Sequence, residues 1–417
     1  MNFASAYLSN KTLKDKLFED RPAENTGIII IIPAFNEPGI IFTLNSLLKC
    51  EKVPCGVEVL VLINAPANAG EQEVIQNNKT CDELAAWKNK HGDGFIKLLY
   101  HDTGVQKHQR WGVGMARKMA MDEAVRRFSE LNKPGGVVVS LDADCTVTAN
   151  YLSEIYYGLY TKNKDKACSI YFEHPLEGDL PGEIYDAIYL YELHLRYYYQ
   201  ALKYSGFPWV FHTIGSALAV KAEAYVRAGG MSKKQGAEDF YFIQKLIPAG
   251  GYVYLNKTCV IPSPRISDRV PFGTGPVMAK ISGTQNKDYP TYNPAAFENM
   301  KELFDRVRLF YDHNNIGEKF FVSLHESLKD FLVMNRWQER ISEIRKNTSS
   351  EDAFRKRFFN WFNMFRVVKY LNFAHSGSYH YKIPVREAAV SMLEKTGNGG
   401  QEMNERDLLG IYRALEK

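Results

Sequence analysis

The chain has 417 residues, 45% of them hydrophobic, enough for one large core with a smaller domain appended to it. The 52 Lys and Arg are nearly balanced by 48 Asp and Glu, so overall charge gives no ground for nucleic-acid binding. Six cysteines (Cys50, Cys55, Cys81, Cys145, Cys168 and Cys259) lack Cys-x-x-Cys spacing, which argues against a zinc site or a disulfide framework and fits reduced thiols in a cytoplasmic protein. No signal peptide is expected in the polar opening Met1 to Asp20. The longest apolar run, Gly27 to Ala34, falls well short of the roughly 20 residues that cross a membrane, so no transmembrane segment is expected.

Five consecutive isoleucines, Ile28 to Ile32, predict a buried strand, because β-branched side chains favour the pleated sheet. The strand runs into Pro33-Ala34-Phe35-Asn36-Glu37, and Ile40 to Leu48 then reads as an amphipathic helix. A second strand, Val57 to Ile63, stops at Asn64-Ala65-Pro66. A helix over Glu71 to Lys90, a strand over Phe95 to Tyr100 and a helix over Gly112 to Leu131 follow, and then a strand from Val137 to Asp144. This alternation predicts an α/β fold with a mostly parallel sheet flanked by helices, its strands ending in polar loops along one edge.

The strand after Pro134-Gly135-Gly136 reads Val-Val-Val-Ser-Leu-Asp-Ala-Asp and delivers Asp142 and Asp144 to that edge. Ligands in open parallel sheets sit at the carboxyl ends of the strands. Paired carboxylates there suit Mg2+ or Mn2+ on a diphosphate, since hard cations take one or two carboxylates together with phosphate oxygens. An Asp helix cap is the plainer alternative.

Several segments resemble, in order, family 2 glycosyltransferases of the GT-A fold. They are Ile28 to Glu37, the Gly112 to Lys118 segment containing Ala116-Arg117, Asp142-Ala143-Asp144, and Glu238-Asp239 after Gly229-Gly230-Met231. The resemblance spans about residues 25 to 275, with a departure at Asn64, where the family usually has an Asp near the nucleotide base. It implies a metal-dependent enzyme that moves a sugar from a UDP- or GDP-linked donor to a hydroxyl on a sugar, a lipid-linked or a small-molecule acceptor. By that resemblance Asp144 binds the Mn2+ or Mg2+ directly, Asp142 contacts ribose or supports the metal, and Asp239 is the base of an inverting reaction, with Glu238 beside it. Pro33, Phe35, Glu37 and Asn64 would line the nucleoside pocket, and Arg117, Arg265 and Arg269 would bond phosphate.

The expected organisation is an arm over 1–24, a GT-A catalytic domain over 25–275 (nucleotide-sugar half about 25–145, acceptor half about 146–275), and a mainly helical C-terminal extension over 276–417. The segment Glu183 to Gly215 is dense in tyrosines and reads either as core helix or as an acceptor gate, with Trp209 and His212, in the loop Phe207 to Ala217 that closes it, as acceptor contacts. Pro262 to Gly275, with Arg265 and Arg269, reads as a lid over the diphosphate or as a connector. Helices are expected over Phe240 to Leu246, Ala295 to Tyr311, Glu318 to Met334, Ser350 to Leu371 and Val385 to Lys395, and a strand over Tyr252 to Ile261. The basic aromatic run Phe354 to Arg366 offers peripheral membrane contact or packing on the catalytic domain. The rival functional readings are a retaining small-acceptor glycosyltransferase, a nucleotidyltransferase, and a non-catalytic sugar-nucleotide or glycan-binding protein.

Overall fold

The computed structural model describes residues 2–12, 16–106, 111–233, 237–267, 273–282, 289–312, 315–377, 379–399 and 405–417. The chain divides into two compact units. The first comprises Met1–Ile188, His212–Gly283 and Lys417, and the second Tyr189–Phe211 with Thr284–Glu416. The aromatic stretch 189–211 belongs to the second unit.

The first unit is built on one eight-stranded sheet of β1 (Thr26–Ala34), β2 (Gly56–Ala65), β3 (Ile96–Val105), β4 (Val137–Ser140), β5 (Cys145–Val147), β6 (Ala167–Phe172), β7 (Leu218–Lys221) and β8 (Tyr252–Pro262). Its order is β3-β2-β1-β4-β7-β6-β8-β5, with β7 and β5 antiparallel to their neighbours and the other adjacent pairs parallel. The fold is therefore α/β with a mostly parallel sheet. All nine residues of β1 are buried, as a central parallel strand covered on both faces requires. The expected strand over Val137 to Asp144 stops at Ser140, the residue paired with Ile31, and the chain then turns so that Cys145 N donates to Asp142 O at 3.1 Å.

Around the sheet lie α1 (Ser5–Lys11), α2 (Ile40–Leu48), α3 (Glu71–His91), α4 (Val113–Glu130), α5 (Tyr151–Ile155), α6 (Gly182–Tyr204, continuing into the second unit), α7 (Ala222–Arg227) and α8 (Glu238–Leu246). Helix α4 carries many charges yet is buried along most of its length. Its apolar residues pack on the sheet, and its polar residues are taken up by the N-terminal segment. Tyr7 Oη donates to Asp122 at 2.7 Å, Leu17 N to Glu123 at 3.2 Å, and Arg127 to the carbonyl of Asp20 at 2.8 Å. Arg127 also holds the buried Glu58 of β2 through two bonds of 2.6 and 2.9 Å.

The second unit is helical, with one short antiparallel ribbon of Pro290–Thr291 and Ile383–Pro384. Three expected helices are each interrupted. The first becomes Pro294–Asp305 followed by a 3-10 turn over Val307–Phe310. The second divides into Asn315–Ser323 and Glu326–Met334 where His325 caps the backbone of Ser327, and the third into Glu351–Trp361 and Met364–Ala374 where Asn363 caps Arg366. A side chain that accepts from the next turn's free N–H ends one helix and starts another even inside an apolar run. Phe354, Phe358, Phe359 and Phe362 are buried within this unit, Phe354 against Tyr311 and the others packed with Phe304, Phe331 and Trp337. These rings form the unit's own core. The tyrosine-rich part of α6 is core too, and its buried Glu192 and Arg196 pair with Arg413 and Glu416 near the C-terminus.

His194 and His380 are built into this unit in the neutral form. Burial, reinforced by Lys382, pushes His194 down to about 4, and burial with His325 and His375 pushes His380 down to about 4. Such groups stabilise the fold fully above the ordinary histidine value of 6.5, and that stabilisation is lost as pH falls from there toward 4. Thermal melts followed by tryptophan fluorescence should show a melting temperature that declines progressively across that window, and His380→Asn should flatten the decline; a flat profile in the wild type would contradict the neutral packing.

Candidate active site

Chain order and sheet order reverse beside β1: the chain moves from β1 to β2 and β3 on one side, then returns to β4 on the other. A crevice outside the carboxyl ends of the strands is expected at such a switch point. Glu37 follows β1, and Asp142 and Asp144 follow β4, so all three carboxylates lie at that end of the sheet. The loop between the aspartates is pinned by α2, whose buried Thr43 hydroxyl donates to the Ala143 carbonyl at 2.8 Å.

Sheet register delivers the first cation. Strand β5 pairs with β8 so that Cys145 opposes Pro262, which sets the segment after β8 alongside the Asp-x-Asp turn. One Nη of Arg265 then bonds both Glu37, by a short contact, and Asp144 Oδ2 at 3.2 Å. Glu37 is only 1% exposed, and its other oxygen accepts from Gly39 N at 2.8 Å. Burial works against the charge on Arg265, but its two carboxylate partners raise its pKa.

Arg117, near the start of α4, is the second cation. Its guanidinium is buried, with one Nη donating to Asp142 Oδ1 at 2.7 Å and the other paired closely with Glu238. Gly215 lies against it, where a Cβ would come within 2.9 Å of Cζ and 3.0 Å of both Nη atoms. No side chain fits there without moving the arginine. Burial opposes its charge, yet Asp142, Glu238 and Asp239 together hold its pKa above the ordinary value. Glu238 opens α8 behind Ala237, whose φ of 54° places it in the left-handed region. Asp239 follows, half-buried, its Oδ1 accepting from Phe240 N at 2.7 Å. Burial and the neighbouring Glu238 push Asp239 up to about 6, against the lowering effect of Arg117.

Arg117 thus faces Asp142, Glu238 and Asp239, and Arg265 faces Glu37 and Asp144. Among the described residues no group of three or more His, Cys, Asp or Glu gathers to enclose a metal. Two carboxylates that already share one cation, here a guanidinium, nevertheless fit a divalent ion whose remaining ligands are phosphate and water oxygens.

The other sequence candidates are dispersed. Pro33 is buried inside β1 opposite Leu62, and Phe35 is half-buried just beyond the strand. Asn64 is buried, its amide donating to Ala34 O and accepting from Trp111 Nε1, each at 3.0 Å, so it braces the ends of β1 and β2. His212 is buried edge-on against Phe172, and its carbonyl accepts from Ser169 at 2.6 Å. Trp209 belongs to the second unit, where it meets Phe207 and Phe359. Arg269 lies outside the described residues. Sequence spacing gives Thr43 no role and Gly215 only a place in an acceptor-side loop, because their contacts are with residues 100 and 98 positions away.

No protein-family model and no curated protein matches the chain. Solved structures do: S. aureus TarS 1-349 in complex with UDP-GlcNAc is 14% identical, with 94% of this chain and 90% of that chain covered and a TM-score of 0.40. The mannosyltransferase PcManGT from Pyrobaculum calidifontis in complex with GDP-Man and Mn2+ is 15% identical, with 89% and 91% covered and a TM-score of 0.40. Likenesses this distant carry no weight on function, which is argued below from the site.

Removing Arg117 should expose how the site is held. Arg117→Met leaves the buried Glu238 unpaired and should cost about 3–5 kcal/mol in urea unfolding. The double variant Arg117→Met/Glu238→Gln should regain most of that loss; an equal loss in both would show that the pair is not what stabilises this corner.

Proposed function

We propose that the chain is a metal-dependent glycosyltransferase with a GT-A-type fold. It would transfer a sugar from a UDP- or GDP-linked donor to a hydroxyl acceptor with inversion. The observation that carries this reading is the joining, at the switch point of the sheet, of the Asp-x-Asp turn to Glu238, the residue before Asp239, through a buried arginine whose charge also acts on Asp239. Loss of a nucleoside diphosphate needs its charge neutralised, and attack by a hydroxyl needs a base. Arg265 bears positive charge at the edge of the carboxylate cluster on a partly exposed side chain, as a phosphate contact requires. Mn2+ or Mg2+ held through Asp144 would supply Lewis-acid neutralisation of the leaving group. Arg117, fixed by Asp142 and Glu238, keeps the two halves of the site in register. Asp239 is mostly ionised at neutral pH yet basic enough to accept the acceptor's proton, which is the balance a general base needs.

A melting-temperature screen of UDP, GDP and their sugars, with and without Mn2+, tests donor binding directly. Ligand at a hundredfold excess over its Kd adds about 2.7 kcal/mol of stability. Stabilisation by one nucleotide class, dependent on Mn2+ and lost in Asp144→Asn, is expected; no response to any of them would refute the reading. Asp239→Asn should leave donor binding intact while lowering kcat about 10²–10⁴-fold. In the wild type kcat/KM should rise with pH through about 6, as the Asp239 carboxylate ionises. Equal loss of binding and turnover in Asp239→Asn would overturn its assignment.

A further inference from the structure

A cavity of about 130 Å3 opens at the edge of the first unit's sheet remote from the carboxylates. Its walls include Ala167 and Tyr252, the paired first residues of β6 and β8, whereas Asp142 and Asp144 follow the last residue of β4, which runs in the same direction. Lys166, Arg227 and Lys245 line it from three different elements, and no described carboxylate does. Glu223 pairs with Arg227, but among the described residues no bond or ion pair engages the ammonium of Lys166 or Lys245. Helix dipoles account for two of these charges, because Arg227 and Lys245 stand in the last turns of α7 and α8. Lys166 belongs to no helix, and its place is set by the backbone: its N–H donates to Gly251 O at 2.7 Å, and its carbonyl accepts from Lys221 N at 2.8 Å. Gly251 has a φ of 75°, and a Cβ there would come within 2.5 Å of Lys164 O and 3.2 Å of Lys166 Cγ. Only glycine lets the lysine stem lie across this corner.

We propose that this cavity is a second binding site, separate from the carboxylate cluster, which takes the phosphate group of a small soluble phosphomonoester. A cleft lined by one sign of charge concentrates ions of the other sign, and Lys and Arg supply charge-assisted hydrogen bonds to phosphate oxygens. The space equals that of about four waters, which suits a phosphate group with a short carbon body. Ala224, Ala228 and Leu246 give that body an apolar wall beside the three cations. A bound phosphate joins Lys245, at the end of the helix whose first turn carries Glu238 and Asp239, to Lys166 at the start of β6. The site stands whether or not the carboxylate cluster transfers a sugar.

The test is calorimetric titration of the full chain with glycerol 1-phosphate and with inorganic phosphate at fixed ionic strength. Saturable binding of glycerol 1-phosphate, one per chain, is expected. The double variant Lys166→Met/Lys245→Met should weaken it about tenfold or more. Lys162→Met/Lys164→Met removes the same formal charge from the exposed loop before Lys166 and should change it about twofold at most. Ala228→Leu, which fills the cavity and keeps every charge, should weaken it as much as the lysine pair does. Melting temperatures verify that each variant is folded. Equal weakening in both lysine pairs with none in Ala228→Leu would reduce the cavity to diffuse surface charge and overturn the proposal. Absence of saturable binding to wild type would overturn it as well. Sedimentation with phosphatidic acid vesicles separates a lipid headgroup from a soluble ligand, and capture by vesicles without binding of either soluble phosphate would also overturn it.

Discussion

A guanidinium almost wholly removed from water must have anions within bonding distance, and around Arg117 that requirement organises the first unit. Its two partners come from places far apart in the chain: Asp142 from the turn after β4, and Glu238 from the first turn of α8. Satisfying both at once sets the separation between the Asp-x-Asp turn and the helix that carries Asp239. The floor beneath the guanidinium has to be flat, which is why residue 215 is a glycine although its backbone needs no unusual conformation. Low local dielectric makes each of these bonds strong and makes the loss of any one expensive.

The same logic applies along the rest of α4. Lys118, Asp122, Glu123 and Arg127 would read on a helical wheel as a solvated face, yet each is buried. The N-terminal segment supplies the missing partners, through Tyr7, Leu17 and the carbonyl of Asp20, so the helix that carries Arg117 is held on its outer side as firmly as on the sheet. A segment that reads as a polar arm in isolation is therefore part of the first unit's packing.

The second unit is stabilised by different means. Rings of phenylalanine, tyrosine and tryptophan meet edge-to-face through its core, and its buried charges close on themselves as Glu192 with Arg196 and Arg413, and Arg196 with Glu416. Aromatic pairs tolerate many orientations at similar energy, which lets short, variously angled helices pack without a regular repeat. In the Phe354 to Arg366 run composition alone does not reveal which face of a helix turns inward; the phenylalanines at 354, 358, 359 and 362 do.

Most of the first unit's sheet was legible in the sequence, because a fully buried parallel strand must be a continuous apolar run and few other structures demand five isoleucines in succession. Asp142 and Asp144 were legible for the complementary reason, since charge directly after such a run has to lie at the sheet's edge. The helix breaks at His325 and Asn363 were not, because a cap is a local hydrogen bond that competes with an apolar pattern favouring continuation. What the chain's linear order determined, then, was the set of elements and the carboxylates offered at their ends. Which carboxylate faces which arginine was decided only by the tertiary structure. The register of β5 on β8 brings Arg265 to Glu37 and Asp144, and the burial of α4 brings Arg117 to Asp142 and Glu238. Charge pairing depends on distance in space and on the exclusion of water, and neither is a property of sequence spacing.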